Sequence, residues 1–157
     1  YLTGYGWLYI MAIIDRYDRS IVGYEISSRS RTDEWLAAFD KAVKNRFPEG
    51  TRDQGLILQV DNGCQPTSRK FIKELSTCDV TLLYSAYATP EHNAHIERFF
   101  RTLKEEELYY NLYETYSEAI TSIEAYIDFY NNHRIHSALG YLAPAEYYQQ
   151  SILQNVA

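Results

Sequence analysis

The chain has 157 residues, 46% of them hydrophobic and 23% charged, with a formal net charge of -6. That composition excludes disordered, collagen-like and fibrous classes and suits one domain, spanning 1–157, with one core. The acidic balance argues against a broad basic surface of the kind that grips phosphate backbones.

The longest apolar run, Trp7 to Ile14, stops at Asp15, far short of the ~20 residues of a membrane span, so no membrane partner is expected. Cys64 and Cys78 are the two cysteines, too few for a disulfide scaffold, and read as free thiols of a reducing, cytoplasmic compartment. Tyr1 is neither an initiator Met nor part of a charged-then-apolar leader, and reads as a point inside a longer protein.

Tyr1 to Thr3, before the turn signal Gly4-Tyr5-Gly6, reads as the tail of an earlier, truncated strand. Residues 7–14 and 20–26 are rich in β-branched and aromatic types around the polar Asp15-Arg16-Tyr17-Asp18-Arg19, which predicts an antiparallel hairpin. Thr32 is the expected cap of an amphipathic helix that carries Trp35, Leu36, Phe39 and Val43 and stops at Pro48-Glu49-Gly50. Leu56 to Val60 reads as a doubly buried strand, Phe71, Ile72 and Leu75 as a short helix, and Val80 to Tyr84 as another strand. Thr89-Pro90 is expected to open a helix with Ile96, Phe99, Phe100 and Leu103 on its apolar stripe. A last long helix is expected from a Ser117 cap through Ile120, Ile123, Ile127 and Tyr130 to Asn131-Asn132, followed by a tail, about 133–157, with a helix starting at Pro144. The order predicts an α/β fold with a mixed sheet flanked by helices.

No phosphate-cradling GxxxxGK[ST], GxSxG elbow or HExxH occurs in the chain. The carboxylates carry more information. Asp61 ends a predicted strand ahead of Asn62-Gly63, which places its side chain at the carboxyl edge of the sheet, where α/β folds build sites. A hairpin turn would use the same triplet, but Gln65-Pro66-Thr67-Ser68 leads toward a helix. Glu97 shares one helix side with Arg101 and Lys104, four and seven residues on. One carboxylate and two cations in a line can hold a metal at one end and a phosphate backbone at the other, although such a stripe is also an ordinary solvated face.

These residues resemble the integrase-type core of bacterial insertion-sequence transposases, related to retroviral integrases. Asp61-Asn62-Gly63 is similar to that family's second aspartate motif, and Glu97 within His92 to Lys104 to its glutamate motif. The 35 intervening residues and the basic Lys104 seven beyond the glutamate fit as well. Leu8 to Tyr24 and Tyr130 to Tyr141 with Pro144 extend the resemblance over nearly the whole chain.

The resemblance implies a ribonuclease H-like fold with a mixed five-stranded sheet, and DNA strand cleavage and strand transfer at two Mg²⁺ (or Mn²⁺) ions. Asp61 and Glu97 would be the catalytic carboxylates and metal ligands; Lys104, Arg101 and Asn93 would contact DNA. It further implies transposon ends and target DNA as partners, a homodimer or higher assembly on DNA, end specificity from upstream regions, and a bacterial cytoplasmic setting. The family's first aspartate would lie two positions before Tyr1, so the polynucleotidyl transferase activity belongs to the parent protein and the isolated chain is expected to be inactive. Asp15, near the hairpin turn, is expected to be structural or solvent-facing. Arg134 and His136 are further family-like positions, open between DNA contact and tethering of the tail. Three rivals remain: a catalytically incomplete DNA-binding or dimerisation module, a ribonuclease H-like nuclease, and a structural zinc site on Cys64, Cys78, His92 and His95.

Overall fold

The structure, a computed structural model, describes residues 1–60, 68–84 and 93–156. β1 (Tyr9–Ile14) and β2 (Ile21–Ser27) pair antiparallel, with Ala12 opposite Tyr24 and a bulge between Ile13 and Ile14. Period-2 alternation divides the strands between two cores. Ile10, Ala12, Ile14, Tyr24 and Ile26 join Phe99, Leu103, Ile123, Ile127 and Tyr130 on one side, while Ile13 joins Phe39, Phe71, Leu75 and Val80 on the other.

α1 (Thr32–Arg46) lies against β2, and Gly23 permits the approach: a Cβ there would stand 2.3 Å from the Ala38 carbonyl oxygen and 2.5 Å from the Ala42 nitrogen. The cap of α1 falls one residue before the expected Thr32. Arg31 holds the cap position, and its backbone N–H donates to the Glu34 carboxylate at 2.8 Å. That bond depends on the residue three positions on, not on the cap's own side chain.

β3 (Ile57–Val60) pairs parallel with β4 (Thr81–Tyr84), and α2 (Arg69–Thr77) connects them, capped by the Ser68 hydroxyl at 3.2 Å from the Phe71 nitrogen. α3 (Ala94–Leu103) buries Phe99 and Leu103 and runs directly into a π-helical turn, Lys104–Leu108. The expected Thr89-Pro90 start lies outside the described residues. α4 (Tyr116–Asn132) is capped by Thr115 instead of Ser117, and α5 (Pro144–Val156) starts at the expected proline after a 3₁₀ turn at Ser137–Leu139. Asn131 lies in the last turn of α4. Its amide accepts from the Ile21 N–H at 2.8 Å and donates to the Ile21 carbonyl at 2.9 Å.

Among the described residues the strands form two separate two-stranded sheets, in place of the expected five-stranded one. The expected strand tail at Tyr1 to Thr3 appears as a single antiparallel bridge, Leu2 to Gly6. No helix among the described residues is long and apolar enough to cross a membrane.

The β1–β2 turn is fastened from below by Asp18, which is 0% exposed. Its carboxylate accepts from the Ser20 N–H at 2.8 Å, the Ser20 hydroxyl at 2.5 Å and the Arg46 guanidinium. Arg46, in the last turn of α1, stacks 3.9 Å over the Tyr148 ring of α5. Removing one partner of a buried charge pair leaves the other uncompensated. Arg46→Ala is therefore expected to lower unfolding free energy by about 3 kcal/mol, read by urea denaturation. Gly23→Ala is expected to destabilise by several kcal/mol, because the new methyl meets helix backbone that cannot swing aside; a melting temperature equal to that of the unaltered chain would refute this packing.

Candidate functional site

A cleft of about 740 Å³ separates the two strand pairs. Its walls are apolar: Ile13 and Ile14 from β1, Trp35, Phe39 and Val43 from α1, Ile57 to Val60 from β3, and Phe100 from α3. Asp15 and Arg16 after β1, Gln59 at the end of β3, and Asn93, His95 and Glu97 at the start of α3 supply its polar lining. Arg16 closes the distance between the sheets by donating to the Gln59 side-chain oxygen at 2.8 Å. The carboxyl ends of β1 and β3 thus meet at one rim, beside the first turn of α3.

Glu97 is exposed in that first turn, and its N–H donates to the Asn93 carbonyl at 3.0 Å. Arg101 and Lys104 follow on the same exposed side and lie outside the cleft lining. The structure therefore brings Asn93 and Glu97 to the cleft and carries Arg101 and Lys104 away from it along α3. Asp61, directly after Val60, lies outside the described residues, as do Cys64 and His92. Cys78 is a free thiol at the C-cap of α2, and His95 sits on α3. Among the described residues no three His, Cys, Asp or Glu side chains gather as a metal cluster. Asp15 is a turn residue: its carboxylate accepts the Tyr17 N–H at 2.8 Å and lies 3.9 Å from Arg46.

Helical periodicity gave no warning of the π-helical turn after α3, and two consecutive carboxylates fix it. Glu106 accepts from Arg134 Nε at 2.9 Å and Nη2 at 2.6 Å and from the Tyr126 hydroxyl at 2.7 Å. Glu107 accepts from the Tyr113 hydroxyl at 2.9 Å and from the Ser122 hydroxyl. Arg134 thus tethers the tail to the end of α3. Its hydrogen bonds hold the Glu106 carboxyl below the ordinary glutamate range, and the Tyr126 phenol is pushed up, by burial first and then by its bond to Glu106.

Guanidinium groups crowd the neighbouring rings. Burial, then the charges of Arg19, Arg16 and Arg98, depress the His95 imidazole. Burial raises Tyr130 to about 12, against the opposing charges of Arg134, Arg19 and Arg98. His136, edge-on to Tyr130 at 4.9 Å between ring centroids, is lowered to about 4 by burial and Arg134.

Comparison with known proteins gives this arrangement a family. A family model described as "Integrase core domain" matches residues 1–90, and a second with the same description matches 78–144. The chain belongs to the integrase core domain family. It is 34% identical over 146 residues to the transposase for insertion sequence element IS904 of Lactococcus lactis, covering 92% of this chain and 56% of that protein. It is 29% identical over 149 residues to the putative transposase InsK for IS150 of Escherichia coli, covering 95% and 51%. The chain therefore spans about half the length of the curated relatives it matches. In structure it resembles the catalytic core domain of BIV integrase, with a TM-score of 0.67, 16% identity, and 94% of this chain and 90% of that one covered. A chain of a simian T-cell lymphotropic virus intasome complex matches with a TM-score of 0.64 and 15% identity, covering 81% and 43%. The integrase core fold accounts for the strand pairs, the flanking helices and the place of α3.

His136 makes this site's surroundings acid-sensitive. Its folded value near 4 lies below the usual 6.5, so between those limits the unfolded chain binds a proton that the folded chain refuses, and stability falls as pH drops through that window. The surrounding charges, Arg134 and Arg19 against Glu106, leave the ring neutral at pH 7. A loss of about 1–2 kcal/mol is expected between pH 6.5 and 4, after discounting for partial exposure. His136→Gln should flatten that part of the stability curve, and an NMR titration of the His136 ring reads the value directly.

Proposed function

We propose that this chain is the catalytic core of a DDE transposase that carries out metal-dependent DNA strand cleavage and strand transfer. The supporting observation is the cleft itself: Glu97, at the start of α3, and Val60, the residue before Asp61, line the same cavity. An integrase core carries its chemistry at such a strand-end rim, and the transposase relatives match nearly the whole chain.

In this reading the first strand is upstream of Tyr1. The Leu2–Gly6 bridge is antiparallel, and continuing it backward would run a strand along the edge of β1 that β2 leaves unpaired among the described residues. Such a strand would enter the cleft, whose other wall is the edge of β3 left unpaired among the described residues, complete a five-stranded sheet and carry the first aspartate two positions before Tyr1. Residues 1–157 alone would then be inactive.

The donor chemistry fits a divalent cation of the hard type, Mg²⁺ or Mn²⁺. Glu97 offers an exposed carboxylate, Asp61 a second one, and carboxylate oxygens are the ligands such ions prefer. Bound there, a pair of ions would stabilise charge on the attacking and leaving oxygens of an in-line phosphodiester displacement. The chain's own residues would hold and orient the substrate. Asn93 offers an amide beside Glu97, and Arg101 and Lys104 extend a cationic track for the DNA backbone along the exposed side of α3. Transposon ends and target DNA would be the substrates, and an assembly of at least two copies would join two ends.

In the full-length parent, Asp61→Asn and Glu97→Gln are each expected to abolish Mg²⁺-dependent cleavage of labelled transposon ends while leaving the melting temperature within a few degrees. Full cleavage by either variant would refute the assignment. Lys104→Ala is expected to weaken DNA binding at all sequences and reduce the salt slope by about one, measured by anisotropy from low to physiological salt.

A further inference from the structure

We propose that the small hairpin ahead of β1, with the exposed rings of Trp7 and Tyr5 and the side chain of Arg29 at the same end of the strand pair, is a stacking ledge for unpaired nucleotides of a DNA strand. The inference rests on the proposed DNA-processing function and adds to it a contact with bases, separate from Glu97, Arg101 and Lys104.

The hairpin is fixed by its own backbone and by α4. The Leu2 N–H donates to the Gly6 carbonyl at 2.8 Å, and the Gly6 N–H returns to the Leu2 carbonyl at 2.9 Å. The Tyr116 hydroxyl, in the first turn of α4, lies 2.7 Å from the Tyr5 carbonyl oxygen and 3.1 Å from that of Trp7, and fastens both residues to the helix. Two ring pairs result. Tyr5 leans on Tyr116 and Tyr1 meets Trp7 edge-on, each pair with centroids 5.4 Å apart. Neither pair is covered: Trp7 is 61% exposed and Tyr5 51%, and neither residue joins the two hydrophobic clusters. Large aromatic side chains held outward by a pinned backbone mark a contact surface.

Charge and ring geometry together name the occupant. Ser27 stands opposite Tyr9 in the β1–β2 ladder, and its hydroxyl accepts the Arg29 N–H at 3.2 Å. Trp7 precedes Tyr9 by two residues as Arg29 follows Ser27 by two, so the ladder's register brings both to one end of the strand pair. Arg29 is exposed and has no ion-pair partner among the described residues. Carboxylates nearby in the chain are engaged: Glu25 by Lys41, Glu34 by the Arg31 N–H and Glu118 by the Glu114 N–H. A cation beside open ring faces takes a phosphate and its base together, and such stacking is tolerant of sequence. Bases inside a duplex are already stacked on one another. The ledge therefore selects nucleotides that have lost their partner, as at a frayed or cut end.

The test uses the full-length parent with a short oligothymidine strand and a blunt duplex of the same length, read by anisotropy. Trp7→Leu, which keeps apolar bulk and loses the π face, is expected to weaken single-strand binding about tenfold and leave duplex binding unchanged. Trp7→Phe is expected to retain most of the affinity, and Arg29→Gln to lower the single-strand salt slope by about 0.7. A strand carrying 5-iododeoxyuridine should photo-cross-link to Trp7 or Tyr5 in the unaltered protein, which decides the matter should Trp7→Leu fail to fold. Equal losses on strand and duplex, or cross-links confined to other residues, would overturn the proposal. So would a Trp7→Leu variant that binds the strand normally but sediments as a monomer where the unaltered protein is a dimer, since the face would then belong to a second copy. Cleavage of labelled transposon ends by the same unaltered protein reports on the catalytic reading separately: cleavage without selective single-strand effects sinks the ledge alone, and selective effects without cleavage count against the catalytic assignment and leave the ledge standing.

Discussion

The buried ion pair between Asp18 and Arg46 organises this domain. A carboxylate with no solvent contact survives only when its acceptor capacity is filled, and here Ser20 and Arg46 fill it. The consequence is geometric: the tip of the β1–β2 hairpin is bound to the end of α1, and through Tyr148 to α5. Arg16 is thereby held toward β3. The rim of the cleft is built outward from that anchor.

Sequence and structure agree where a hydrophobic period is strong and disagree where a few hydrogen bonds decide. The hairpin and the stripes of α3 and α4 follow from alternation and helical spacing, since Ala12, Phe99, Leu103, Ile123 and Ile127 have few other places to go, whereas the expected single core is divided into two clusters. Caps are less legible. Arg31 carries no capping signal of its own, and Thr115 precedes Ser117 by only two residues. The π-helical turn at Lys104–Leu108 leaves no trace in apolar spacing, because its cause is the engagement of Glu106 and Glu107 by side chains of α4 and beyond. Of the candidate site, Glu97 and Asn93 were legible from their spacing within the motif. The bond from Arg16 to Gln59 that joins the two strand pairs was not, for it depends on a fold-back that no local pattern encodes.

Several carboxylates of this acidic chain have structural partners. Asp18 is buried under a guanidinium, Glu106 is clamped by Arg134, Glu107 is occupied by hydroxyls, and Glu25, Asp33 and Asp40 each meet a lysine. Each of these ion pairs also uses a cation, so the pairing fixes where the charges sit and leaves the net charge of -6 in place. Net charge describes the far field, whereas a polyanion at contact range meets the local set of groups, screened beyond about 10 Å at ordinary salt. An acidic chain can accordingly present a local cationic stretch such as Arg101 and Lys104 on an exposed helix side.

Asn131 leaves one more mark on the sheet. Its amide occupies both the N–H and the carbonyl of Ile21, the groups that β2 turns away from β1. A side chain there imitates one rung of a neighbouring strand and ends the ladder. An exposed strand border invites edge-to-edge association with other chains, and at Ile21 the backbone groups that would serve it are already satisfied. At that end of β2, one rung of any lateral pairing is already taken by a carboxamide held in the last turn of a helix.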